Sequence, residues 1–344
     1  MEKFIPYLKA IGRGEKLQRD LTVDEACEAM HLILRGEATP AQIGAFLITQ
    51  RVKGEHADEI IGFTQAARSY CQRITPKVTG LIDLGIPYDG KSKTLQLAPA
   101  IALLTAATGQ PMVFHGDRGV PTKCGVGPVE LLIALGIDPN LSTDRVERQV
   151  EELGIGFLYA PQFAPEWHVL LPIRHQFGLR TALNTVEKLL NPANAALSVS
   201  GFFHINYMEN ISGVGGHVAE RVWMIQGPEG SIECPPGRAT RVLPAPAGPE
   251  SIIINTAALG FASEGDIKAP GDAAYHAQVT RQLLANQPSA ARDTVVITTA
   301  LLLLLNQRVP SMAAGVEQAS ETLASGAAER LLHAWQQSAW LAES

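Results

Sequence analysis

The segment His115-Gly-Asp-Arg-Gly-Val-Pro-Thr-Lys-Cys-Gly-Val-Gly127 gathers the residue types that hold an anion. Glycines let backbone N–H groups crowd a ligand, and the N-terminus of a following helix adds partial positive charge. Arg118 and Lys123 add full positive charges, and Thr122 adds a hydroxyl. Residue types alone leave two readings open, a phosphate-binding loop and an ordinary tight turn. A second turn, Gly85-Ile-Pro-Tyr-Asp-Gly90, is the weaker cradle, because Pro87 lacks a donor and Tyr88 bars close backbone approach. Arg174 and Arg180 stand six positions apart, on different faces of a helix. One could take a ligand carboxylate bidentately while the other holds the fold, or both could be structural ion pairs. His168 and His175 have no companion nucleophile or metal-ligating neighbour and read as surface or core histidines.

These residues need elements to place them. The first seventy residues read as helices. Thr22-Val-Asp-Glu25 and Thr39-Pro-Ala-Gln42 fit capping boxes, the second with Pro at the first helical position. A helix over 40–52 puts Ile43, Phe46, Leu47 and Gln50 on one face, and a further helix covers 55–71. From residue 75 the pattern changes to strand, turn and helix. Residues 81–84, with Asp83 embedded, and 112–114 read as strands; 98–108 and 129–135 read as helices. Such repeats imply a parallel sheet covered by helices. Residues 196–203, 221–226 and 251–255 are further strand or short-helix candidates. Residues 167–190 read as helical and are expected to return to the first domain. The resulting division is a helical domain of residues 1–75, with 168–190 returning to it, and an α/β domain of 76–167 and 191–344. The stretch 233–249, with five prolines, reads as a surface connection.

Composition narrows the function classes. The chain has 344 residues, 46% hydrophobic and 18% charged, enough for two sizeable cores and unlike a disordered chain. A net charge of −6 argues against a generally basic nucleic-acid surface, while leaving room for a local basic stripe. Cys27, Cys71, Cys124 and Cys234 form no C-x-x-C pair and read as buried free thiols. The N-terminus has no run resembling a signal peptide. The longest apolar stretch, 294–305, is too short to span a membrane and reads as a buried helix. Cytoplasmic location is the expectation.

Gly36-Glu-Ala-Thr-Pro-Ala-Gln-Ile-Gly-Ala-Phe-Leu47 with Arg51-Val-Lys-Gly-Glu55, Phe157-Leu-Tyr-Ala-Pro161, residues 172–184 and Asn191-Pro-Ala193 together resemble the anthranilate phosphoribosyltransferase family. The resemblance runs through most of the chain. It implies a small helical N-terminal domain packed on a larger α/β domain with a mainly parallel central sheet, paired into a homodimer. It also implies an interdomain cleft that takes phosphoribosyl diphosphate, magnesium and an aromatic amine.

Carried over residue by residue, the family's motifs are eroded. Its G-T-G-G-D diphosphate loop reads Gly85-Ile-Pro-Tyr-Asp89, keeping the first Gly and the Asp. Its T-F-N-I-S-T reads Thr94-Leu-Gln-Leu-Ala-Pro99, so the magnesium-holding Ser is Ala98 and the Asn is Gln96. Its K-H-G-N-R reads Phe114-His-Gly-Asp-Arg118; His115, Gly116 and Arg118 remain, but the phosphate-binding Lys is Phe114. The acceptor-contacting Asn is Asp117, which would repel a carboxylate unless protonated. Arg174 matches the Arg that receives the acceptor's carboxylate. The acidic pair for a second magnesium aligns with Ile232-Glu233, which keeps one carboxylate. The donor site is therefore expected at Gly85, Asp89, Thr94, His115, Gly116, Arg118, Thr122, Lys123 and Gly125. The acceptor site is expected at Asp117 and Arg174, and weakened magnesium binding at Glu233.

A divergent branch of this family with similar erosion is thought to bind nucleic acid. Lys9-Ala-Ile-Gly-Arg-Gly-Glu-Lys16 with Arg19-Asp-Leu21 resembles that branch. Lys9, Arg13, Lys16 and Arg19 then form a candidate basic edge, or else a solvated helix end. Two functions follow: a phosphoribosyl transferase whose acceptor is not anthranilate, and a nucleic-acid-binding paralogue without transferase activity.

Overall fold

The computed structural model describes residues 2–14, 16–249, 251–261, 267–269 and 271–338. Glu15, within the candidate basic segment, lies outside them. Helices α1 (Ile5–Gly12), α2 (Val23–Leu34), α3 (Pro40–Lys53) and α4 (Ala57–Ser69) open the chain. Both capping boxes form: Thr22 Oγ1 accepts from Glu25 N–H at 3.2 Å, and Thr39 Oγ1 from Gln42 N–H at 3.2 Å. Gln50 lies fully buried on the apolar face of α3, where its amide donates to Glu59 Oε1 at 3.0 Å. Glu59 is itself buried and pairs with Lys53 at 2.7 Å. The amide nitrogen on this core face is thereby satisfied, while Gln50 Oε1 has no hydrogen-bond partner among the described residues.

The larger part alternates strands and helices: β1 (Ile82–Gly85), α5 (Ala98–Ala107), β2 (Met112–Gly116), α6 (Pro128–Leu135), α7 (Thr143–Leu153), β3 (Ile155–Tyr159), then the short helices α8 (Ala160–Phe163), α9 (Pro165–His168), α10 (Leu171–Phe177) and α11 (Leu183–Val186). There follow β4 (Leu197–Phe202), α12 (Ile205–Ile211), β5 (Arg221–Gln226), β6 (Thr240–Ala245), β7 (Ile252–Ile254) and helices α13 (Ala273–Leu284), α14 (Ala290–Leu305), α15 (Met312–Ala324) and α16 (Ala327–Gln337). Helix α10 packs on α3 and α11 on α4, so the 167–190 stretch lies against the first helices. Sequence reasoning did not place α7 or β3. Among the described residues no helix is long and apolar enough to cross a membrane.

Among the described residues, seven strands run in the order β3-β2-β1-β4-β5-β6-β7. β1 to β5 are parallel, and β6 and β7 are antiparallel. The proline-rich 233–249 stretch is therefore corrected: it contains a strand. Pro244 stands opposite Trp223 of β5. The pairing with β7 covers only Thr240 to Val242, so Pro244 has a neighbour on one side and behaves as an edge residue.

The chain winds outward from β1 to β3 and then returns to place β4 on the other side of β1. Where order reverses, the crossovers diverge and leave a crevice at the carboxyl ends of the strands. β1 ends at Gly85 and β4 at Phe202, so this crevice opens beside both.

Candidate functional site

A cleft of about 600 Å³ lies over that switch point. Arg51 and Glu55 reach it from the end of α3, Lys93, Lys123 and Glu229 from loops of the α/β domain, and Arg180 from the segment after α10. Phe202, Phe203 and Tyr207 supply an apolar wall. Lys188 forms the floor. Its ammonium group donates to Gly201 O at 2.6 Å and lies 3.5 Å from the centre of the Phe202 ring. Burial pushes its pKa well below the usual lysine range, assisted by the charges of Arg180 and Lys123.

Asp89 is buried behind this array, 3.2 Å from Lys123 and 3.8 Å from Arg180. Neither Asp89 oxygen has a hydrogen-bond partner, so these contacts are ionic. Burial lowers the pKa of Lys123, and Asp89 opposes that shift. Gly85 is required where it stands: a Cβ there would lie 1.9 Å from the Lys188 carbonyl oxygen and 2.4 Å from Ser200 Oγ. The rest of its turn faces inward. Tyr88 is 1% exposed, and its hydroxyl lies 2.6 Å from His115 Nδ1; His115 Nε2 is 3.5 Å from the buried Asp83. This corrects His115 as a donor-binding side chain, because the ring is 0% exposed and held between Tyr88, Asp83 and Phe163.

The loop between β2 and α6 also differs from the expected cradle. Gly116 and Gly125 serve close packing. A Cβ at Gly116 would strike Pro128, and one at Gly125 would lie 2.1 Å from the Lys91 carbonyl oxygen. Residues Lys91 and Val126 bridge the two loops through paired backbone hydrogen bonds. The Glu130 carboxylate, in the first turn of α6, accepts from Gly119 N–H at 3.2 Å and lies 3.9 Å from Arg118. That acid already complements the helix N-terminus. Arg118 faces a separate hollow beside Ile137 and Tyr159. Thr122 is half-buried and is not part of the cleft lining. Of the cationic pair predicted from sequence, only Lys123 reaches the cleft.

Thr94 and its neighbours do form an anion cradle, and a side chain of the same protein fills it. The Glu229 carboxylate accepts from Ser92 N–H at 3.1 Å, Lys93 N–H at 3.1 Å and Thr94 N–H at 2.9 Å. The hydroxyls of Ser92 and Thr94 add bonds of 3.0 and 2.8 Å. Burial tends to raise the Glu229 pKa, but these donors and Lys123 outweigh it and hold the carboxyl at about 2.

Glu233 is buried and bonded to Lys91 Nζ at 2.8 Å. The same ammonium donates to Ser231 Oγ at 2.5 Å and Pro228 O at 2.9 Å. Among the described residues no three His, Cys, Asp or Glu side chains gather as metal ligands. Ala98 offers no oxygen, and a lysine holds the one retained carboxylate. The protein's own donor set therefore does not fit the magnesium site that the resemblance implies.

The acceptor candidates are likewise engaged. Arg174 is 4% exposed and pairs at 2.8 Å with Glu187, which is fully buried. Burial raises the Glu187 pKa, and Arg174 opposes the rise. Asp117 accepts from Arg118 N–H at 2.7 Å and contacts His168 Nδ1 at 2.7 Å. Its pKa is raised by burial against those two bonds. On the helical domain, Lys9, Arg13 and Arg19 line a hollow of about 610 Å³ that also includes Glu2. Lys16 is not part of it, and Arg19 is bonded to Glu25 at 2.6 Å. The four thiols are free; Cys124 is exposed and only Cys234 buried, which corrects the expectation of four buried thiols.

Sequence reasoning missed Arg51, Lys91, Lys93, Lys188 and Glu229. The one visible signal for Glu229 was its turn, Gly227-Pro-Glu-Gly230, at the end of a strand candidate.

A helical bundle beside a mainly parallel sheet, with a charged cleft at the switch point, is the two-domain arrangement of the glycosyl transferase family. Residues 89–329 match the α/β domain of the glycosyl transferase family, and residues 5–71 match its helical bundle domain. The chain is 32% identical over 334 residues to the anthranilate phosphoribosyltransferase of Myxococcus xanthus, covering 95% of this chain and 96% of that protein. It is 33% identical over 315 residues to that of Acetivibrio thermocellus, covering 90% of each. The chain belongs to the anthranilate phosphoribosyltransferase family. The Thermus thermophilus enzyme superposes with a TM-score of 0.83 at 28% identity, covering 98% of this chain and 99% of that one. The Saccharomyces cerevisiae enzyme in complex with PRPP and Mg gives 0.85 at 19% identity over 98% of each chain, a likeness of fold.

Proposed function

We propose that this phosphoribosyltransferase-like protein binds the diphosphate of a phosphoribosyl donor in the cleft and transfers the pentosyl group to an acceptor other than anthranilate. The observation that carries this reading is the convergence of Arg51, Lys93, Lys123 and Arg180 on one cleft at the sheet's switch point. Phosphoribosyl transfer builds positive charge on the sugar while diphosphate leaves. Catalysis of that step rests mainly on positioning and neutralisation of the leaving group. Lys123 and Arg180 would neutralise it and Asp89 would orient both cations, with Gly85 and Gly125 allowing the loops to approach. Anthranilate is disfavoured as acceptor because Arg174 is committed to Glu187 and Asp117 presents an acid.

Calorimetry with phosphoribosyl diphosphate, with and without magnesium, tests the donor half. Saturable heat that disappears in Lys123→Ala and Arg180→Ala is expected; no heat at millimolar donor defeats the reading. The hollow lined by Lys9, Arg13 and Arg19 supports a second reading, binding of single-stranded nucleic acid by a homodimer. Fluorescence anisotropy with single-stranded DNA across a salt series tests it. Affinity that falls steeply with salt supports that reading, and binding indifferent to salt opposes it.

A further inference from the structure

We infer that Glu229 is a built-in competitor ligand: its carboxylate occupies the anion receptor of Ser92, Lys93 and Thr94, and a phosphoryl group enters the cleft there only by displacing it. This deepens the donor-binding reading above and rests on it.

Three consecutive backbone N–H groups and two hydroxyls converge on one carboxylate. Successive amides aimed at a single point form a concavity selective for anions. Five donors saturate a carboxylate and match the oxygens of a phosphoryl group equally well. The receptor faces the cleft, since Ser92, Lys93, Lys123 and Glu229 all line it. Glu229 comes from the opposite wall, from the turn after β5, and not from the loop it caps. Its backbone is left-handed, with φ 54° and ψ 20°. A non-glycine residue adopts that conformation at a cost of about 1 kcal/mol or more, so its contacts must offset the strain. The Lys123 ammonium donates to the Glu229 carbonyl at 3.2 Å, which ties the same turn to the cation facing Asp89. Departure of the carboxylate would leave the five donors open beside Lys93 and Lys123, with Glu229 free to swing toward solvent.

Two substitutions test the mechanism. Glu229→Gly deletes the carboxylate and suits the positive φ, so the turn keeps its conformation. Glu229→Gln keeps the shape and removes the charge. Inorganic pyrophosphate is titrated calorimetrically into wild type, both variants, and Glu229→Gly combined with Lys123→Ala. Pyrophosphate should bind Glu229→Gly about tenfold more tightly than wild type, or better. Glu229→Gln should fall between them, and the added Lys123→Ala should abolish the gain. Equal affinity in wild type and both variants would overturn the inference while leaving the donor-binding reading intact. Binding in none of the proteins would overturn that reading as well. Circular dichroism of each variant verifies the fold, and a folded Glu229→Gly that gains nothing makes Glu229 a structural staple.

Discussion

Lys91 decides what neutralises the buried carboxylate of Glu233. Its ammonium group lies 2.8 Å from Glu233 Oε2, and both side chains are within 1% of full burial. In Lys91→Met the methionine fills similar volume, but Glu233 loses the cation bonded to it. Breaking a buried pair by removing one partner typically costs about 3–5 kcal/mol, because the remaining charge stays desolvated. The expected loss at pH 7 is therefore about 3–5 kcal/mol, read from chemical denaturation. The double variant Lys91→Met with Glu233→Gln should recover most of it, since neutral replacement of a buried pair changes the free energy little. Millimolar magnesium should not rescue the single variant. A loss below about 1 kcal/mol would refute the reasoning, and so would rescue of Lys91→Met by magnesium with stoichiometric binding of the ion.

Glu229 is held at about 2, below its unfolded value, so its contribution is complete above the ordinary glutamate range and is lost as pH falls toward 2. Glu229→Gln should flatten the acid limb of a stability-against-pH curve in that window, and an unchanged limb would contradict the five-donor cradle. Arg174→Met should cost about 3–5 kcal/mol by stranding Glu187, with most of it restored by adding Glu187→Met; a stable single variant would return Arg174 to the candidates for ligand binding. Gly85→Ala should destabilise by about 3 kcal/mol or more in thermal or urea melts, because its Cβ meets the Lys188 carbonyl at 1.9 Å. Gly44→Ala, in the interior of α3 with nothing within 4 Å, should instead stabilise by about 0.5–1 kcal/mol.

Local rules made much of the fold legible. The capping boxes at Thr22 and Thr39 announced two helices because their donors and acceptors lie within four residues of one another. Strand β1, helix α5 and the buried α14 followed from apolar runs and their breakers in the same way. β3 was missed because Ile155-Gly-Phe-Leu-Tyr159 is short and lacks strong flanking signals. β6 was missed because proline density outweighed the strand pattern, and only the limited reach of β7 makes Pro244 tolerable.

The site divided differently. Sequence determined which chemical groups were present, including the Gly85 turn, Asp89 and Lys123, and the resemblance implied alterations at 98, 114 and 117. Tertiary structure alone decided which charges meet. Lys91 and Glu233 are 142 positions apart, Ser92 and Glu229 are 137 apart, and no periodicity links such pairs. Arg118 and Lys123, only five positions apart in the chain, face different hollows. Charge identity is a local property of the chain. Charge neutralisation depends on distance and burial, and those exist only once the sheet and its helices have brought remote segments together.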